Sequence, residues 1–449
     1  MKITWYTNAC VRISSSTGAN ILCDPWLTPG AFLGSWFHWP PLSEDFENIL
    51  LTEPCNGIYI THLHPDHYDP KFIAKYTKLN PTVPIYIAEF AHAWLRRSVT
   101  AVVDPRTQVI EIPTLQSVEI EPGFTMKVFA ADTCNPSICG TNIPCQSELK
   151  LRGIDSIGVF EADGLKVINA NDAMAVNLVS RVAANIGNAD LIMGHYGGAS
   201  PFPQCFPEVL DKTAASIQIV DTTCKMLVTA ADAVGATKIM PFAGQYILGG
   251  GLTHLNDSRA ILPLDETVTY LRGLTDKEII SVIPGGSIDL LNGWQSENYI
   301  EPKGDIKKNY LEKISKAKFS YSTEDSKGWI NIQNDLITAA TPVATRSMLA
   351  KITIRNSFVI GDGENFVTIN LDPENKLTNV LLGKFPAFEN VTTITMPNKL
   401  LKQLSTRARG FKGFTPMHWN QADVGSHFIW SRRGEYDLAS HILLNFFGI

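Results

Sequence analysis

Long apolar runs are missing from this sequence: no stretch approaches the ~20 consecutive apolar residues of a membrane-spanning helix, although 45% of the 449 residues are hydrophobic. No transmembrane segment is therefore expected. Runs of Lys and Arg long enough to follow a phosphate backbone are missing too, and the net charge is −6, so no nucleic-acid partner is expected. The opening Met1-Lys2-Ile3-Thr4-Trp5-Tyr6 has neither the basic n-region nor the apolar core and cleavage site of a secretion signal. Paired cysteine spacing is also lacking. The eight cysteines stand singly, which predicts reduced thiols and a cytoplasmic location. Cys134, Cys139 and Cys145 form one loose group without the short ligand pairs or fourth ligand of a zinc site, and they read as small apolar loop residues. With 18% charged residues the chain is ordinary for a globular protein rather than a disordered one, and its length predicts two or three domains.

Histidine is sparse as well, with 10 in all, yet three of them fall inside Thr61-His62-Leu63-His64-Pro65-Asp66-His67. The preceding Gly57-Ile58-Tyr59-Ile60 reads as a short strand, so His62 and His64 at its end project to one side. Pro65 stops the strand. Asp66 and His67 then fall in a turn ahead of a helix that starts at Pro70. Neutral imidazoles converging with a carboxylate suit Zn²⁺, Fe or Mn, and a set of this size can serve one or two divalent ions, with zinc the first expectation.

These residues form the pattern HxHxDH, and by it the sequence resembles the metallo-β-lactamase fold superfamily. The resemblance implies an α/β fold, an αββα sandwich over residues 1–293. Asp24, in Asp24-Pro25-Trp26, matches an early Asp that in one branch of the superfamily braces the metal loop. That branch holds ascorbate-6-phosphate lactonase and the phospholipase D acting on N-acyl phosphatidylethanolamines. Its Gly-His pair after the first strand is replaced here by Thr7-Asn8-Ala9. Pro29 to Pro41, an aromatic and proline-rich loop, reads either as a pocket wall or as a satellite core. Together with Tyr59 to His67 and Val83-Pro84-Ile85-Tyr86-Ile87, it resembles the metallo-β-lactamase-like part of the CMP-N-acetylneuraminate hydroxylase family. The Cys-x-His and Cys-x-x-His pairs of that family's Rieske domain do not occur in this sequence.

Along the chain, strands are expected at Ile3–Ile13, Asn20–Cys23, Val83–Ala88, Val109–Ile112, Gln116–Ile120, Phe124–Ala130, Asp155–Phe160, Leu165–Asn169, Ala189–Gly194 and Thr237–Met240. Helices are expected at Phe90–Arg97, Val176–Ile186 and Pro207–Val234. The superfamily resemblance places a metal ligand after Phe124–Ala130, where Asp132 is the nearest oxygen donor, although a turn Asp is equally consistent there. It places a bridging Asp at Asp172, whose alternative role is to cap the following helix. It also places a late His after Thr237–Met240, where His254 is the one downstream candidate. His195, at the head of the glycine-rich His195-Tyr196-Gly197-Gly198-Ala199-Ser200, is a candidate ligand or acid/base, or a hydrogen-bonded loop residue. The metal set is thus His62, His64, Asp66, His67 and Asp172, with Asp132 and His254 as further candidates; Asp66 and His195 are the candidate proton-handling groups.

Residues 294–329 read as a helical linker, with Glu301–Lys318 helical, and 330–449 as a smaller C-terminal α+β domain. That domain resembles sterol-carrier-like domains. Strands are expected there at Ala350–Ile360, Asn365–Ile369 and Val391–Met396, and helices at Asn398–Thr406 and Tyr436–Phe447. Arg407, Arg409, Arg432 and Arg433 beside Met417-His418-Trp419-Asn420 suggest either an anion or lipid-like site or a solvated face. The function expected is metal-dependent hydrolysis of a small-molecule ester, phosphoester or lactone, the nucleotide-sugar class included by resemblance. The alternatives are a di-iron oxidoreductase and a non-catalytic metal-binding protein.

Overall fold

A computed structural model describes residues 1–90, 93–131, 154–323, 354–372, 377–407 and 418–435, together with positions 334, 337 and 374. Two large sheets dominate. The first contains β1 (Lys2–Thr7), β2 (Cys10–Ser14), β3 (Asn20–Cys23), β5 (Gly57–Ile60), β6 (Ile85–Ala88), β7 (Val109–Ile112), β16 (Ser287–Asp289) and β17 (Trp294–Gln295) in the order β17-β16-β1-β2-β3-β5-β6-β7. The second contains β8 (Ser117–Glu121), β9 (Phe124–Ala130), β10 (Ser156–Ala162), β11 (Leu165–Asn171), β12 (Leu191–Gly194), β13 (Lys238–Pro241) and β15 (Glu278–Ile279) in the order β15-β13-β12-β11-β10-β9-β8.

The strands that are parallel to their neighbours are covered on both faces, so β5, β6 and β12 are apolar along their whole length and every residue of them is buried. Alternation then assigns their side chains to opposite layers. Tyr59 joins the core shared by the two sheets, whereas Ile58 and Ile60 face Phe72, Ile73 and Tyr76 of the helix Pro70–Leu79. The second sheet is backed by Val176–Ile186 and Lys212–Ala233 through Leu178, Val182, Cys224 and Leu227. This is the αββα sandwich.

Pro70–Leu79 begins where the metal-motif loop ends, and one carboxylate joins the two. Asp69 Oδ1 accepts from the backbone N–H of Lys71 and Phe72, both at 3.0 Å, a cap worth about 1 kcal/mol. Its Oδ2 accepts from Leu27 at 3.1 Å and Thr28 at 2.6 Å, which ties the loop after Asp24 to the same turn.

Several expectations need correction. Ile3–Ile13 is a hairpin, β1 and β2, because Asn8 adopts φ 38° and turns the chain back. The helix expected from Pro207 begins at Lys212, where Asp211 caps it by accepting from Ala214 N at 2.9 Å. Phe90–Arg97 is displaced to Trp94–Thr100, and Glu301–Lys318 contracts to Asp305–Ile314. The aromatic loop contributes to a satellite core, in which Trp26, Ala31, Phe32, Trp36, Tyr246 and Leu248 pack together around the short pair β4 (Trp36–His38) and β14 (Tyr246–Leu248), and its Pro29, Gly30, Leu33, Gly34 and Phe37 also line a cavity.

The C-terminal part builds its own sheet from β18 (Asn356–Gly361), β19 (Phe366–Asp372), β20 (Leu377–Leu382), β21 (Val391–Thr395) and β22 (Ile429–Arg433), ordered β20-β19-β18-β21-β22. β20 and β22 were not expected. The helix Asn398–Arg407 covers this sheet with Leu400, Leu401 and Leu404. Phe206 and Tyr321, from outside this unit, complete the same core. The helix expected at Tyr436–Phe447 lies outside the described residues. No helix among the described residues is long and apolar enough to cross a membrane.

Candidate metal centre

The site sits where the parallel strands of both sheets end. β5 delivers Thr61, His62 and His64; β11 delivers Asp172; β12 delivers His195. β10 runs antiparallel to β11, so the residue just before β10, Asp155, lies beside the end of β11, and Asn171 Nδ2 locks the two by donating to Ser156 O at 2.8 Å.

Hydrogen bonds on the far side of each ring decide which nitrogen faces the site. Asp24, fully buried, accepts from Thr61 N at 2.8 Å, from Thr61 Oγ1 at 2.7 Å and from His67 Nδ1 at 2.9 Å. With its proton given to Asp24, the Thr61 hydroxyl accepts from His62 Nδ1 at 3.0 Å. His64 Nε2 donates to Asn420 Oδ1 at 2.9 Å. In the neutral form of each ring, these bonds leave His62 Nε2, His64 Nδ1 and His67 Nε2 as the nitrogens that face the site with a lone pair. His62 Nε2 and His64 Nδ1 stand 2.9 Å apart, and His67 Nε2 is buried with no hydrogen-bond partner.

The carboxylates close the ring. Asp172 Oδ2 is 3.5 Å from His67 Nε2 and 3.7 Å from His62 Nε2; Asp155 Oδ1 is 3.7 Å from His62 Nε2; Asp66 Oδ2 is 3.6 Å from His67 Nε2. Asp66 Oδ2 also accepts from Asn8 Nδ2 at 3.3 Å, while Asp66 Oδ1 is buried without a partner. Two overlapping groups could each hold a cation: His62, His64 and Asp155, and His62, His67 and Asp172, with the donor atoms of each group within 4.8 Å of one another.

Burial lowers the pKa of His62 and His64, which favours their neutral form. Burial acts on His67 in the same direction but is outweighed by Asp66, Asp172 and Asp24, which raise it well above its ordinary value. Burial would raise Asp172, but the neighbouring imidazoles, His67 foremost, hold it far below the usual carboxylate range. Asp66 is pushed up to about 6 by burial, with His67 opposing, and Asp155 to about 7 by burial and the charge of Asp172. Lone pairs facing one another and crowded carboxylates make a centre that a divalent cation would satisfy.

A family model described as a beta-lactamase superfamily domain matches residues 19–242. The chain carries a metallo-β-lactamase superfamily domain. A protein of Mycolicibacterium smegmatis named as a Rieske 2Fe-2S iron-sulfur protein is 27% identical over 270 residues, which are 57% of this chain and 46% of that protein. Cytidine monophosphate-N-acetylneuraminic acid hydroxylase of Macaca mulatta is 26% identical over 213 residues, 46% of this chain and 31% of the relative. The chain therefore spans less than half the length of these relatives. Isothiocyanate hydrolase from Delia radicum gut bacteria superposes with a TM-score of 0.40 at 15% identity, covering 66% of this chain and 100% of that one.

Within the metallo-β-lactamase domain the structure gathers His62, His64, Asp66, His67 and Asp172 at one point. Asp172 does not cap the following helix, whose N-cap is Ala175 with no side-chain hydrogen bond. His195 also lies here: its Nε2 is buried without a partner and it interacts electrostatically with Asp172 and His67. His254 is not brought in. It is exposed on the 3-10 helix Gly250–Ser258, with Nδ1 on Gly251 O at 2.9 Å. Asp132 and the three grouped cysteines lie outside the described residues. His38, isolated in the sequence, stacks on Trp26 at 4.0 Å and bonds Trp26 O at 3.0 Å. Arg432 lies over the Phe206 ring at 4.2 Å, while Arg409 and Met417 are outside the described residues.

Sequence reasoning missed Asp155, Asn8 and Asn420. Asp155 carried a usable signal, a carboxylate at the start of a strand antiparallel to the one ending at Asp172. Asn8 and Asn420 carried none.

Proposed function

We propose that this protein is a metal-dependent hydrolase that holds one or two divalent ions with His62, His64, Asp66, His67, Asp172 and Asp155, zinc being the first expectation. The observation that carries the reading is the convergence of three imidazole nitrogens whose ring partners are each already committed to Thr61, Asn420 or Asp24. Such an arrangement is preorganised for a cation and expensive without one. When bound, a divalent ion supplies Lewis acidity and a nucleophilic water near neutral pH.

The chain's own groups do the rest. Asp66, with Oδ2 held by Asn8 and Oδ1 free and buried, orients the attacking water. His195, its Nε2 unengaged, is placed to pass a proton to the leaving group. The substrate class is a small polar ester, phosphoester or lactone. The division into a metal-binding domain to residue 293, a linker, and a C-terminal domain from 330 belongs to the same reading, supported by the separate C-terminal sheet.

Asp155 supports a second reading. An oxygen donor in the group with His62 and His64 suits iron, and relatives are named hydroxylases, which together favour a di-iron oxidoreductase that would need a separate electron donor. Metal analysis of protein purified without added metal separates the two. Zinc with ester or phosphoester turnover that disappears on chelation and returns on reconstitution is the expected result; two irons with an oxo-bridge absorption and no hydrolysis would replace it with the second reading.

A further inference from the structure

One contact to the site comes from a residue 356 positions away in the chain: Asn420 Oδ1, 2.9 Å from His64 Nε2. Asn420 belongs to the helix His418–Val424 of the C-terminal unit, and that helix is fastened at several points. Trp419 is buried against Phe428, with ring centres 4.8 Å apart. Asp423 Oδ1 accepts from Trp430 Nε1 at 3.1 Å, which joins the helix to β22. The turn that follows rests on the loop around Phe32. His427 Nε2 donates to Phe32 O at 2.9 Å, and its Nδ1 accepts from Tyr321 OH at 3.1 Å. The approach is so close that a Cβ on Gly425 would sit 2.9 Å from Phe32 O. The Phe32 ring in turn lies 5.7 Å from His64.

We propose that Asn420 is a positioning residue that sets the tautomer of His64, so that the C-terminal unit completes the metal centre. The inference rests on the metal reading above. By accepting the Nε2 proton, Asn420 leaves His64 Nδ1 as the lone pair facing His62 Nε2. Without an acceptor there, nothing holds that proton on Nε2. A proton on Nδ1 would then fill the 2.9 Å gap between the two rings and compete directly with the cation. His62 and His67 receive the same service from Thr61 and Asp24 inside the metallo-β-lactamase domain, and His64 receives it from the C-terminal unit.

The test uses the full chain, stripped of metal and titrated with Zn²⁺ against a chromophoric chelator, with Co²⁺ d–d spectra taken in parallel. Asn420→Leu keeps the size and removes the acceptor; Asn420→Asp keeps an acceptor that cannot donate. The expected result is Zn²⁺ affinity weakened about 10–100-fold for one ion in the Leu variant, with an altered Co²⁺ spectrum, and near wild-type behaviour in the Asp variant. Thermal unfolding of the metal-free proteins shows whether the Leu variant folds, and Asn420→Ala replaces it if it does not. Unchanged affinity and spectrum in a variant lacking the acceptor overturn the inference while leaving the metal reading intact. Equal weakening in the Leu and Asp variants also overturns it, because docking rather than the acceptor would then be responsible. If His62→Ala leaves Zn²⁺ affinity unchanged, the metal reading itself fails and the inference falls with it.

Discussion

The two sides of the centre are built differently. On the β5 side, His62 and His67 are fully buried, and each ring has its outer nitrogen tied to Thr61 or Asp24. On the facing side the Asp155 and Asp172 side chains are 32% and 23% exposed, and His195 keeps a nitrogen unengaged. One side is rigid and dry, the other partly open, as expected where ions are gripped from behind while water and substrate approach from the front.

That contrast can be broken at either end. The largest effect is expected on the buried side: His62→Ala or His67→Ala abolishes uptake of at least one ion per chain, measured by elemental analysis after dialysis. Asp155→Asn, on the open side, weakens retention less; a reversed order would contradict the division into gripping and open sides. Asp24→Ala comes next. It leaves the donors of Thr61 N, Thr61 Oγ1 and His67 Nδ1 without their carboxylate, at about 1–3 kcal/mol for each one left unsatisfied. Chemical denaturation of the metal-free protein should show that loss, and metal affinity should fall with it.

Acid stability probes buried histidines outside the centre. Burial lowers His38 and His427 from 6.5 to about 4, so both are neutral in folded and unfolded chains above 6.5 and cost nothing there. As pH falls from about 6.5 to about 4, the unfolded chain takes up these protons first and stability is lost. Denaturation midpoints across that range should drop, and less steeply in a His38→Gln, His427→Gln double variant. The smallest effect is expected from His254→Ala: an exposed side chain bonded only within its own turn should leave metal content unchanged and stability within about 0.5 kcal/mol.

How much of this was legible in the sequence follows the same division. His62, His64, Asp66 and His67 lie on one short segment, so local chemistry and spacing revealed them, and Asp172 was marked by the superfamily resemblance together with its place at a strand end. The sandwich was legible through the resemblance that HxHxDH carries, while the apolar runs of β5, β6 and β12 marked individual strands only. Asp155 was within reach, since it stands just before the strand β10 that pairs antiparallel with β11, yet nothing in its own neighbourhood marks it as a ligand. Asn8 was hidden because the apolar alternation of Ile3–Ile13 runs straight through the turn it makes. Asn420 reaches the site only through the docking of a second unit, which no local pattern encodes. The length of Lys212–Ala233 was overdrawn because Leu210 fits its apolar stripe, yet Leu210 is 96% exposed ahead of the Asp211 cap.

The most direct test of the central claim is anomalous diffraction from crystals of the zinc-loaded full chain, collected on both sides of the zinc edge. The account predicts a peak within bonding distance of His62 Nε2, His64 Nδ1 and Asp155, with any second peak between His67, Asp66 and Asp172. A strong zinc peak elsewhere with none at these atoms would contradict it.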